Sequence, residues 1–135
     1  MTHADTKLIP QVTVEFMNND HEEAVEILDT ILAAIENSTV DEVTSRLEAF
    51  FAHNQVHFSR EEEQMRRVNF PPYSCHKGEH DRVLFELAEA IEQWKERNDR
   101  EYIAHYLNCT LWNWFINHIK TMDTVTAMFI NQHAH

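Results

Sequence analysis

One helix face constrains this chain more than any other feature. Val43, Leu47, Phe50, Asn54, His57, Glu61 and Met65 follow one another in steps of four and three. That spacing keeps side chains on one side of an α-helix. The stripe begins and ends apolar, but its middle does not. The stretch "HFSREEEQM", residues 57–65, sets His57 and Glu61 where a hydrophobic core belongs. A chain that buries such groups has to supply them with partners, because an unpaired buried charge is costly.

Three other segments show the same pattern. From about Asn19 to Asn37 the apolar face is Ala24, Leu28, Ile31 and Ile35, with His21 on the same side. After "NFPPYS", where two successive prolines end the second helix, the next stripe is His76, His80, Val83 or Leu84, Leu87, Ile91 and Trp94. The last stripe is Ile103, Leu107, Leu111, Trp114, His118, Val125 and Phe129. Asp123 stands five after His118, about 140° further round an α-helix and so at the edge of that stripe. Thr39 with Glu42 is expected to cap the second helix, Ser74 the third, and Asn98 with Glu101 the fourth. Gly78, between His76 and His80, weakens its helix unless it permits a close helix approach.

These patterns predict helices at about 19–37, 40–67, 74–97 and 99–130, preceded by an irregular N-terminal arm over 1–18. Residues 1–135 then form one all-α domain, an antiparallel up-down-up-down four-helix bundle. Composition agrees, since one Gly and three Pro leave little material for the turns and bulges of a β-rich fold. The net charge of −12 argues against nucleic acid and anionic membrane surfaces as partners. No apolar run approaches the roughly 20 residues of a membrane span. "MTHADTKLIPQ" lacks the basic start and apolar core of a signal peptide. Cys75 and Cys109 form no C-x-x-C pair, so both are expected to be reduced thiols and the protein cytoplasmic.

The inward polar groups of all four segments are His21, His57, Glu61, His76, His80, His118 and Asp123. His57/Glu61 and His76/His80 are i, i+4 pairs, so each presents two donors to one side of its helix. Neutral imidazoles donate lone pairs and carboxylates offset positive charge, so a metal relieves the cost of burying all seven. Seven donors exceed one tetrahedral zinc, which makes two ions the natural count. Imidazole and carboxylate without thiolate suit iron or manganese, with zinc or copper also compatible. His53, four before His57, is placed to hydrogen-bond toward the site. Glu62 and Glu63 are expected to point away from it into solvent.

The ordered set "NNDH", "HFSREEEQM", "HKGEH" and "WFINHIKTMD" resembles the hemerythrin family, from about Val12 to Met128. The resemblance implies a non-haem di-iron centre. His76, His80 and His118 would bind one iron, His21 and His57 the other, and Glu61 and Asp123 would bridge the two. It also implies an open position on the second iron for dioxygen, hence storage, transport or sensing of oxygen, with Trp114, Phe115 and Ile119 lining the oxygen pocket. The chain departs from the family pattern at Asp20, where the family more often has glutamine, and at Phe115, where it often has leucine; the larger ring of Phe115 bears on oxygen affinity and release.

Other readings of the same residues are an enzyme acting on peroxide, nitric oxide or ferrous iron, and a sensor module of a larger protein. The ferritin-like E-x-x-H motif is absent from the chain. "HEEAV" lacks the second histidine of a zinc peptidase.

Overall fold

The computed structural model describes residues 9–133. Four helical rods run up and down in chain order: α1 (Glu15–Asn37), α2 (Val40–Arg67), α3 (Tyr73–Arg97) and α4 (100–133). The fourth rod is not uniform. Its α-helical pieces Arg100–His105, Trp112–His118 and Thr124–His133 are joined by two π-helical turns, Tyr106–Leu111 and Ile119–Asp123.

The ends of the rods depart from the sequence expectation in instructive ways. Thr39 does cap α2, its side chain accepting from the Glu42 amide at 3.2 Å. Glu42 does not complete a reciprocal box, for its carboxylate takes Arg46 instead. Ser74 lies inside α3, which starts after Pro72 with no side-chain cap. Asn98 ends α3 in the left-handed conformation (φ 51°), and Asp99 caps α4 by accepting from the Tyr102 amide. α1 begins at Glu15 rather than Asn19. Of the irregular arm expected over 1–18, residues 1–8 lie outside the described residues. Residues 9–14 are held down by Asn18, whose side chain both accepts from the Val12 amide and donates to its carbonyl, each at 2.9 Å.

Packing divides the interior into three layers. One apolar cluster, built around Leu28, Ile31, Leu47, Leu87, Trp94, Ile103 and Leu107, joins all four rods. The Trp94 indole donates to Thr44 at 2.8 Å, so the largest side chain there leaves no unpaired polar atom. A second cluster ties Ile9, Val12, Val14 and Met17 to Val25, Ile119, Ala127 and Ile130. The polar stripe positions lie between these two. The spacing-based stripes of α1, α2 and α3 are buried as expected, except that Asn54 of α2 is half-buried. That of α4 fails beyond His118: Val125 is 56 % exposed, and Thr126, Ala127 and Ile130 face inward instead. The π turn at Ile119–Asp123 accounts for this. The Thr124 amide bonds the Ile119 carbonyl five residues back, so the turn takes up about one residue more than an α turn. Every later position is shifted by one. Gly78 mediates no close approach, since a Cβ built there meets nothing within 4 Å.

Candidate metal centre

Five of the seven candidate residues converge at one point. Glu61, His76, His80, His118 and Asp123, from α2, α3 and α4, each offer one donor atom within 4.8 Å of all the others, and all five are buried. His76 Nε2 lies 3.1 Å from Asp123 Oδ1, 3.6 Å from Glu61 Oε1 and 3.1 Å from His118 Nε2. His118 Nε2 is 3.2 Å from the same Asp123 oxygen. His80 Nε2 is 3.3 Å from Glu61 Oε1. From α1, His21 reaches the far side of this group, with Nε2 3.0 Å from Asp123 Oδ2 and 3.9 Å from Glu61 Oε2. Each carboxylate thus turns one oxygen to the His76/His80/His118 side and the other to His21.

His57 is buried but faces outward from this group. Its Nε2 is 3.4 Å from Asp20 Oδ1 and 3.7 Å from Glu23 Oε2. The sequence reading placed it beside Glu61 on one stripe. The structure keeps it on that stripe and brings it to two α1 carboxylates, Asp20 and Glu23.

The donor set fits a cation on chemical grounds. Glu61 Oε1, His80 Nε2 and Asp123 Oδ1 are buried, lie 3.1–3.6 Å from other donor atoms, and form no hydrogen bond. Buried polar atoms without partners are rare in a folded protein. Here they aim at a common point without hydrogen-bond geometry, the arrangement of ligands about an ion. The opposite faces of two imidazoles are anchored. His76 Nδ1 is 2.7 Å from Thr126 Oγ1, and His80 Nδ1 is 2.9 Å from Glu62 Oε2. A carboxylate or hydroxyl holding the outer ring nitrogen fixes the ring and leaves Nε2 free to bind metal. Glu62, expected to face solvent, is therefore an internal residue whose carboxylate orients His80. Its position, one step from Glu61, gave no hint of this, because the partner comes from another helix eighteen positions on.

The electrostatics carry the same demand. Burial raises the proton affinity of the Glu61 and Asp123 carboxyls, yet the imidazoles around them outweigh it and both end below their ordinary range. Burial alone would lower the pKa of His76, but Asp123 and Glu61 lift it to about 9. His21 and His80 are raised for the same reason. Two buried anions thus call for positive charge, which protons or a divalent cation supply, and metal binding would release those protons.

Aromatic rings wall the centre. Phe58 stacks on His80 (centroids 4.0 Å apart, 3° between planes), and Trp114 stacks on His118 (4.5 Å, 15°). Phe115 meets His21 edge-on at 5.7 Å. The Trp114 indole is tied to Glu79 Oε1 at 2.8 Å. Phe58, Trp114 and Phe115 also line an apolar cavity of about 30 Å³. Ile119, expected with Trp114 and Phe115 in one pocket, does not line that cavity; it is fully buried in the second apolar cluster.

Convergent imidazoles and carboxylates at the middle of a four-helix bundle define a metal-binding helical bundle. Comparison with known proteins names the kind. Residues 12–130 match the family model for the hemerythrin HHE cation-binding domain. The chain belongs to the hemerythrin family. It is 33 % identical to a bacteriohemerythrin of Ralstonia nicotianae over 76 % of this chain and 74 % of that protein. To one of Aquifex aeolicus it is 28 % identical over 83 % and 86 %. Among solved structures, a hemerythrin with a leucine-to-tyrosine substitution superposes with a TM-score of 0.76 at 17 % identity, covering 91 % of this chain and 97 % of that one. No helix among the described residues is long and apolar enough to cross a membrane.

Proposed function

We propose that the cluster holds two iron ions and that the protein binds dioxygen reversibly there, to store, carry or sense it. His76, His80 and His118 would bind one iron and His21 the other, joined by His57 once its ring turns from Asp20 and Glu23 toward His21, with Glu61 and Asp123 bridging. The observation that carries this reading is the division of the two carboxylates, whose separate oxygens face His21 on one side and the three-histidine group on the other. That is the geometry a bridge needs. Ferrous ions bound there would supply the electrons that dioxygen takes up and returns.

The chain's own residues set the conditions for reversibility. Thr126 and Glu62 hold His76 and His80 in the orientation that presents Nε2. Phe58, Trp114 and Phe115 cover the imidazoles with apolar surface and line a cavity suited to a small apolar gas. Excluding water from this side slows irreversible oxidation. Five histidines against two carboxylates make a nitrogen-rich donor set, which favours carriage over the oxidising chemistry of carboxylate-rich centres.

The test is anaerobic loading of the metal-free chain with ferrous ion, a count of bound iron, then exposure to air. Two irons per chain and a visible absorption band that disappears when oxygen is removed are the expected result. Two irons with prompt, irreversible oxidation would replace oxygen binding by an enzyme acting on peroxide, nitric oxide or ferrous iron.

A further inference from the structure

The geometry points to a second, outer cation site, formed by Glu23, His53 and His57 with Asp20 behind them, through which divalent ions reach the buried cluster. One donor atom from each of Glu23, His53 and His57 lies within 4.8 Å of the other two. The rings of His53 and His57 are 3.6 Å apart at their centroids. Asp20 Oδ1 is 3.4 Å from His57 Nε2. Two further atoms point to a ligand independently: His53 Nε2 and Asp20 Oδ2 are both shielded from solvent and hydrogen-bonded to nothing.

Position gives this site its role. The Glu23 side chain is 61 % exposed, whereas those of His57 and Asp20 are 8 % and 4 % exposed. Donors therefore run from solvent to the interior within one cluster. On α2, His53, His57 and Glu61 stand four apart, each step turning the donor about 40° around the helix axis. His53 belongs to the outer group, Glu61 to the buried one, and His57 stands between them. A single imidazole, by a change of rotamer, presents its nitrogen first to one and then to the other.

Chemistry selects the ligand class. Two imidazoles and a carboxylate, with water completing the shell on the open side, suit a first-row divalent ion such as ferrous iron, cobalt or zinc. Arg60 lies 3.0 Å from Asp20 Oδ1 and offsets that charge. The attraction for a cation at the mouth therefore comes from Glu23. Because His57 is shared, the outer site is occupied during loading and gives up its imidazole once the inner ion is seated. Passage inward rests on the reading of the buried cluster as a metal centre; binding at the outer site does not.

Two measurements on the full chain separate these statements. In the first, metal-free protein is mixed anaerobically with ferrous ion at low and at high salt, and the loading rate and final iron count are read separately. His53→Ala and Glu23→Gln are each expected to slow loading about tenfold at both salt concentrations, the lower end of what loss of a supporting group at a metal site costs. Unchanged rates in both variants, with two irons bound by the unaltered chain, overturn the outer site. So does an effect confined to Glu23→Gln that vanishes at high salt, which is the behaviour of long-range charge attraction alone. A final count below two in the unaltered chain removes the inner reading instead. The second measurement then decides the outer site by itself. Anomalous scattering from metal-free crystals briefly soaked in cobalt is expected to show a peak bounded by Glu23, His53 and His57, and no peak there would end the proposal.

Discussion

His118 and Asp123 stand five residues apart, yet His118 Nε2 and Asp123 Oδ1 are 3.2 Å from each other. In a regular α-helix a spacing of five turns the second side chain about 140° away. The π turn at Ile119–Asp123 takes up one of those residues and cuts the angle to about 40°, and π turns of this kind recur at functional sites. A four-residue spacing in an α turn would also keep the carboxylate on the inner face. Deleting Lys120, which is exposed, is therefore expected to convert the π turn to an α turn and keep Asp123, Thr126 and Ile130 inside. Helix content by circular dichroism and metal content by elemental analysis should both survive. Loss of metal from a folded deletion variant would mean that the π geometry itself, and not merely the register, is required.

Glu62 is expected to matter for metal affinity although it lies outside the converging donor set. Its carboxylate holds His80 Nδ1 at 2.9 Å. Glu62→Ala should weaken metal binding by about 10- to 100-fold, the usual cost of losing such a partner. Competition with a chelator measures it directly. An unchanged chelator concentration for half-removal would show that packing against Phe58 alone orients His80.

Glu79 should make part of the stability pH-dependent. Its carboxyl is held down at about 2, first by Arg82 and then by the Trp114 indole, against an ordinary value of 4.5. A carboxyl depressed in the folded state stabilises it above the unfolded pKa. That contribution fades as pH falls from about 4.5 through about 2. Glu79→Gln should therefore be less stable than the unaltered chain at pH 7, with the gap closing progressively below pH 4.5. Urea melts at several pH values test it, and a gap independent of pH would exclude the charge as its source.

Gly78→Ala should stabilise the protein. Gly78 lies within α3, its added Cβ meets no atom within 4 Å, and its φ is not positive. Replacing glycine by alanine in an exposed helix interior gains about 1 kcal/mol. A rise in the denaturation midpoint at unchanged iron content is the expected result, and a fall would reveal a role for the glycine that packing does not explain.

The bundle was legible in the sequence because helical periodicity is a local property. The stripes of α1, α2 and α3 needed only the steps of three and four, and the low glycine and proline counts excluded most alternatives. The inward polar residues were legible for the same reason: an apolar stripe interrupted by histidine and carboxylate is visible without a structure. Local chemistry also placed the Thr39 cap. It misplaced the next two: α3 starts after Pro72 with no side-chain cap, Ser74 lying inside it, and Asp99 rather than Asn98 caps α4.

What only the tertiary structure decided depends on residues far apart in the chain. Periodicity assumes 3.6 residues per turn, so it carried Val125 and Phe129 inward and could not register the extra residue of the π turn that puts Thr126 and Ile130 there instead. Glu62 passed for a solvated glutamate because its partner, His80, belongs to a different helix. His57 shared a stripe with Glu61, but only the packing of α1 against α2 brought Asp20 and Glu23 to it. A sequence states which face a side chain takes on its own helix; what that face meets is settled by how the helices are turned against one another, and burial makes those pairings the ones that matter energetically.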